Sequence, residues 1–201
     1  TAVRQVITNY NNTTLKKFDG VFRQSNVLRL IDDVDQGILN STIIIKMHKH
    51  LFPIPGIQSS YKMKFSSPIY ITEESEPTLR SNNFTVNQTA VTLSDISAGD
   101  GTNNRTVQLL SVATGDVINA NIGTLYPEKG LLEISNINIT STSTIFVYAS
   151  PDSYDIAPKF NQLVTIELDE TPGITITGEE DTISILGSSG AATYKTFSRH
   201  N

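Results

Sequence analysis

The chain has 201 residues, a formal net charge of −5, 38% hydrophobic and 17% charged residues, and no cysteine. That length buries a real core. The acidic balance gives no general affinity for nucleic acid or anionic membrane, and the missing thiols exclude disulfides, thiolate catalysis and Cys-ligated zinc. No apolar run approaches the roughly 20 residues that cross a bilayer.

Asn, Thr and Ser fill the composition, and these favour strands, turns and loops over helices. The opening at Thr1, without Met or a charged-then-apolar leader, reads as a fragment or processed piece. Triplets such as Asn83-Phe84-Thr85, Asn87-Gln88-Thr89 and Asn138-Ile139-Thr140 fit the glycosylation pattern, but arise by chance in so Asn- and Thr-rich a chain.

The first third has α+β grammar. Val27, Leu30, Ile31 and Val34 fall at i, i+3, i+4 and i+7, one helical face. Ser25 or Asn26 is placed to cap its start and Gly37 to take a left-handed exit. Ile43, Ile45, Met47 and Leu51 then share one face of a strand, with Lys46, His48 and His50 on the other. Pro53, Pro55 and Gly56 break it, and the chain returns through Tyr61, Met63 and Phe65 with Lys62 and Lys64 outward. The expected unit, residues 1–78, is a helix packed on this antiparallel pair.

Residues 79–170 read as mainly β. Candidate strands are Phe84–Leu93, Thr106–Val112, Val117–Ile122, Leu131–Ile139, Ile145–Tyr148 and Leu163–Leu168. Turn signals fall at Gly99-Asp100-Gly101, Thr114-Gly115-Asp116 and Pro127–Gly130, where Pro127 presets φ and Gly130 accepts a positive one. The spacing predicts a β-sandwich-like region or a curled sheet. Ile145–Ala149, apolar on both faces, is expected in a central position.

Residues 171–201 read as a hairpin and an extended carboxy-terminal arm. Ile174 and Ile176 alternate with threonines, Gly178–Asp181 is read as a turn into Ile183 and Ile185, and Gly187–Ala192 as a flexible link. The arm is poor in core residues, so Ile174, Ile176, Tyr194 and Phe197 are candidates for contact with a neighbour. The whole is α+β and mainly β.

No catalytic constellation emerges. His48 and His50 share a strand face about 7 Å apart, but the flanking lysines repel a cation. Ser59-Ser60-Tyr61-Lys62 has Ser-x-x-Lys spacing on a strand, where that motif requires a helix. The Asp95–Asn104 stretch has the composition of a calcium loop, yet counting from Asp100 the twelfth position is Ser111, not the required Glu. Asp32, Asp33 and Asp35 near a helix end read as a solvated acidic face. The expectation is a non-enzyme with no metal and no cofactor.

Three stretches carry a resemblance: Ser25–Gly37, a Ser-led helix ending in an acidic turn; Gly123–Gly130, a Gly-Thr hairpin; and Asp155–Gln162, an Asp-Ile-Ala-Pro return. In this order they resemble the carboxy-terminal half of the J-like baseplate wedge protein of contractile-tailed phages, in its T-even form, over roughly Asn12–Leu168. The resemblance implies a structural part of the virion tail baseplate, assembled in the host cytoplasm. It also implies a protein that dimerises, contributes to a ring and joins other wedge subunits; the acidic composition adds the expectation of no nucleic-acid or membrane partner. The face bearing Lys46, His48, His50, Lys62 and Lys64 is the main local reversal of charge, and is expected to dock an acidic neighbour. The alternative is a β-sandwich adhesin or glycan-binding module of a virion or cell surface. The absence of Trp and the scattered Tyr leave it without a sugar-stacking platform.

Overall fold

In the computed structural model the described residues are 2–71, 76–141, 143–158, 163–168, 173–187 and 190–200, with side chains described through Thr177. In chain order the elements are α1 (Ala2–Tyr10), a π-helical turn (Asn11–Leu15), β1 (Phe22–Arg23), α2 (Gln24–Asp32), β2 (Ser41–Thr42), β3 (Met47–Leu51) and β4 (Gln58–Lys64). There follow β5 (Leu79–Ser81), β6 (Phe84–Val86), β7 (Thr89–Ser97), β8 (Arg105–Ser111), β9 (Val117–Tyr126) and a 3-10 turn (Pro127–Lys129). The last are β10 (Leu131–Asn138), β11 (Ile145–Ala149), β12 (Asp155–Ile156), β13 (Thr177–Gly187) and β14 (Gly190–His200). The chain is mainly β, with two compact units: Thr1–Ile44 joined by Tyr154–Asn201, and Ile45–Ser153.

In the first unit, α1 lies outside the elements expected from the sequence, although Val3, Ile7 and Tyr10 stand at i, i+4 and i+7 and are all buried. Together with Leu15, Phe22, Val27, Ile31, Ile38 and Ile156 they form this unit's core. The α2 helix begins at Gln24, before the expected caps. Arg23 is still extended, paired with Asp155, and the Gln24 N–H donates to the Tyr154 carbonyl (3.4 Å). The strand end thus supplies the partner that a Ser or Asn cap provides elsewhere. The helix ends at Asp32, short of Gly37. Gly37 is instead held in a side-chain turn, its N–H donating to Asp35 Oδ1 (2.8 Å).

Beyond Tyr154 the expected strand Leu163–Leu168 has no regular structure. Its backbone bonds go to side chains: the Ile166 N–H donates to the buried Asn11 Oδ1 (2.9 Å), and Arg4 donates to the Leu168 and Ile174 carbonyls (2.6 and 3.1 Å). Gly178–Asp181 is no turn but lies inside β13, which pairs antiparallel with β14 from Thr177↔His200 to Gly187↔Gly190. The glycines read as a flexible link are thus the hairpin's end, and β14 adds in parallel to β2.

The second unit has two sheets among the described residues, in the orders β4-β10-β9-β8-β7-β6 and β3-β11-β5. Their inner faces share one apolar core, in which Leu79, Val91, Val107, Leu125, Leu132 and Val147 are fully buried. The sandwich-like packing and the central place of Ile145–Ala149 are as the sequence predicts. The larger sheet curls until its β6 edge meets the chain just past β10. There Val86 bridges Ile139, and the Thr140 N–H donates to the Thr85 carbonyl (2.8 Å).

Two expectations change here. Phe84–Leu93 is a hairpin rather than one strand, because Asn87 and Gln88 both take positive φ (48° and 67°). This is the geometry a two-residue hairpin turn demands, and Asn tolerates it. The strands expected to pair after the helix do not pair: β3 runs against β11, and β4 against β10. The connection Phe52-Pro53-Ile54-Pro55-Gly56-Ile57 is too proline-stiffened for a tight hairpin, and carries the chain from one sheet to the other.

The Pro127–Gly130 turn forms as read, with Gly130 left-handed (φ 58°) and its carbonyl accepting the Phe65 N–H (2.8 Å). Gly123 is required for packing: a methyl group there would strike the Glu133 carbonyl oxygen across the β9–β10 pair.

Candidate interaction surfaces

The face of β3 that carries His48 and His50 is built by its partner strand. Register sets His48 opposite Tyr148 and His50 opposite Phe146. His50 meets the Phe146 ring edge-on (centroids 4.8 Å apart, 86°), and the two imidazoles lie 5.0 Å apart. His48 also meets Tyr148 edge-on, and Phe52 extends the row beside His50. Burial pushes the Tyr148 hydroxyl above its ordinary pKa. Lys46 is exposed just before this strand, whereas Lys49 turns to the other side, opposite Val147. Burial of Lys49 pulls its ammonium below the ordinary lysine value.

Lys62 and Lys64 stand elsewhere, on β4 at an edge of the six-stranded sheet. Lys62 is paired with Glu133 of β10 (2.7 Å), both side chains being well exposed. The five residues read as one basic face are therefore divided between two sheets: an aromatic–histidine row with Lys46, and a lysine-bearing strand edge. Sequence alternation found each row, but not which strands pair.

Ile174 and Ile176 are half-buried and alternate with exposed Thr175 and Thr177, as the pattern predicts. The side chains of Tyr194 and Phe197 lie outside the described residues. Their backbones sit opposite Ile183 and Glu180.

Two motifs set aside on sequence, the Asp100 loop and the Ser-x-x-Lys spacing, have ordinary local geometry. Asp100 accepts from both the N–H and the hydroxyl of Thr102 (2.9 and 2.6 Å), a turn contact that lowers its pKa. Ser59 and Lys62 are three apart on β4, so they point to opposite faces.

Sequence reasoning missed two features. One is the apolar connection after β3, where Phe52 is 71%, Ile54 54% and Ile57 56% exposed; its composition was visible as Leu-Phe-Pro-Ile-Pro. The other is a buried ion pair in the second unit, between Arg105 of β8 and Asp95 of β7. The other oxygen of Asp95 accepts the Leu79 N–H (2.6 Å), and Arg105 also donates to the Glu76 carbonyl (2.7 Å). This clamp fastens the approach to β5 onto the large sheet. A charged residue within each of two neighbouring apolar strands was its only trace in the sequence.

Residues 1–50 match a family model described as baseplate structural protein gp6, C-terminal domain III. The match supports a phage baseplate structural component. It covers the Ser25–Gly37 stretch and ends inside β3, before the other two stretches that carry the resemblance. By that description the family is one of structural proteins of the phage tail baseplate, where subunits contact one another. No curated protein matches the chain. Among the described residues no helix is long and apolar enough to cross a membrane.

Proposed function

We propose that the chain is a wedge subunit of a contractile phage tail baseplate, of the J-like kind, which self-associates and joins other wedge subunits in a ring around the tail hub. The carrying observation is the family match over residues 1–50. The three sequence stretches extend the same reading toward Gln162. The molecule is a scaffold without catalytic, metal or cofactor chemistry, assembled in the host cytoplasm, and it binds neither nucleic acid nor membrane.

Its contacts use the aromatic–histidine row with Lys46, the Lys62–Lys64 edge, and the segment that begins at Ile174. Rim charges of this type act mainly on encounter rate and register. Purified tails tested by mass spectrometry and by cryo-electron microscopy with a tagged copy provide the check. The chain should be present in ring-like multiplicity at the baseplate. Its absence from intact tails would overturn the proposal.

A further inference from the structure

We propose that the Asp100–Gly101 peptide bond, at the tip of the β7–β8 turn, is a site of spontaneous aspartate isomerisation that the fold itself promotes. Both residues are exposed, and a glycine of positive φ stands on each side of the aspartate (Gly99 70°, Gly101 77°). Nothing lies within 4 Å of where a Cβ of either glycine would stand, so the backbone has room to close a ring. The Asp100 side chain is already folded over the Gly101 peptide. Its Oδ1 accepts the N–H and the hydroxyl of Thr102, the second residue along (2.9 and 2.6 Å). The Gly101 N–H makes no hydrogen bond among the described residues, so nothing there holds its nitrogen away from Asp100 Cγ.

The step balances on water alone. The Gly101 nitrogen attacks Cγ of the neutral Asp100 carboxyl. The N–H proton and the Oδ2 hydroxyl leave as water, and the new C–N bond closes a succinimide. Negative charge develops on Oδ1 during that attack, and Thr102 already aims its N–H and its hydroxyl at that atom. The turn thus favours both the approach and the transition state. Water then adds at either ring carbonyl. Addition at Cγ restores aspartate. Addition at the main-chain carbonyl breaks the original peptide bond, so that the chain runs through Cγ and the carboxylate sits on Cα. The product has the mass of the parent and a longer backbone in the turn. Asp19–Gly20 presents the same pair of residues in the opposite setting. There the Gly20 N–H donates to the Lys17 carbonyl (3.0 Å), and Gly20 is buried against the Leu15 carbonyl. The two pairs are alike in sequence; the fold opens one and closes the other.

The test compares the folded chain with the same chain in guanidinium chloride, both incubated at mildly acidic pH to keep part of the carboxyl protonated. Peptide mapping, with enzymatic methylation of isoaspartyl carboxylates, reads each site separately. In denaturant both Asp-Gly pairs should convert at similar rates. In the folded chain Asp100 should convert at least as fast as in denaturant, while conversion at Asp19 falls to background. Equal conversion at the two sites of the folded chain, or a folded Asp100 slower than the unfolded one, overturns the proposal. The part played by Thr102 is read in Asp100→Asn, whose amide does not titrate near neutral pH and loses ammonia through the same ring. Adding Thr102→Val removes the hydroxyl donor and keeps the N–H. It should slow ammonia loss severalfold in the folded chain and leave the rate in denaturant unchanged. A folded Thr102→Val chain that loses ammonia as fast as its parent overturns the claim that this turn promotes the reaction.

Discussion

Replacing Asp95 with Asn tests the clamp at the centre of the second unit. The substitution keeps the side chain's shape, and its amide oxygen still accepts the Leu79 N–H. The counter-charge of Arg105 is lost, and the new amide NH2 sets a donor against the Arg105 Nε–H that the carboxylate accepted. The Arg105 side chain is 3% exposed and that of Asp95 0%, so water cannot replace the missing carboxylate. Breaking a buried pair from one side typically costs about 3–5 kcal/mol, because a charge is left unpaired in a poorly polarisable interior. Against a total stability of about 5–15 kcal/mol, that is a large share. The exposed Lys62–Glu133 pair is the internal control, and Lys62→Ala should cost less than about 1 kcal/mol.

Urea unfolding of the parent and both variants, with hydrogen exchange at the Leu79 amide as a local probe, measures the difference. The paired replacement Asp95→Leu with Arg105→Met should cost less than Asp95→Asn alone, since it leaves no orphan charge. A loss of under about 1 kcal/mol for Asp95→Asn, or a double variant worse than the sum of its singles, refutes the reasoning.

Gly123→Ala should destabilise by about 1–3 kcal/mol in thermal melts, because the new methyl group meets the β10 backbone rather than a movable side chain. Leu125→Ala, at a side chain with 0% exposure, should cost about 2–5 kcal/mol by the same measurement. Arg4→Ala removes bonds to the Leu168 and Ile174 carbonyls, so limited proteolysis should cut between 163 and 176 sooner than in the parent, while exchange at Leu79 stays unchanged.

Local pattern was legible in the sequence wherever one face of an element is buried. Val27 and Ile31 mark α2, and the alternation at Met63 and Phe65 marks the return strand. The Pro127–Gly130 turn was legible because one residue type fits each position. Partner choice was not. His48 and Lys62 looked like one face because nothing in their spacing says that the Pro53–Pro55 connection crosses between sheets. The positive φ of Asn87 and Gln88 was hidden in a run that reads equally as a strand. The Asp95–Arg105 clamp joins two residues separated by a turn, and only strand register brings them together. The helix Ala2–Tyr10 also leaves its mark in the sequence, in Val3, Ile7 and Tyr10 at i, i+4 and i+7.

The second unit is set into the first along the chain. Residues 1–44 are completed by residues from Tyr154 onward, and Ile45–Ser153 forms a unit between them. The incoming and outgoing strands of that unit are neighbours, with Met47 opposite Ala149. A segment whose ends lie side by side is inserted into a host fold with little distortion. Among the described residues its apolar core runs from Leu51 to Ala149 with no member outside the segment, so its stability depends on its own packing. The match over residues 1–50 stops a few residues after the chain enters this unit.

Residues 45–153 produced alone should therefore fold, with one cooperative thermal transition and dispersed amide resonances. The complementary chain, with residues 48–148 replaced by a short Gly/Ser linker, should keep Arg4 bonded to the Leu168 carbonyl. A two- to four-residue linker suffices, because opposed antiparallel Cα atoms are only about 4.5–5.5 Å apart. Collapsed spectra and a broad, non-cooperative melt for the 45–153 fragment would show that its core needs the rest of the chain, and the insertion reading would fall.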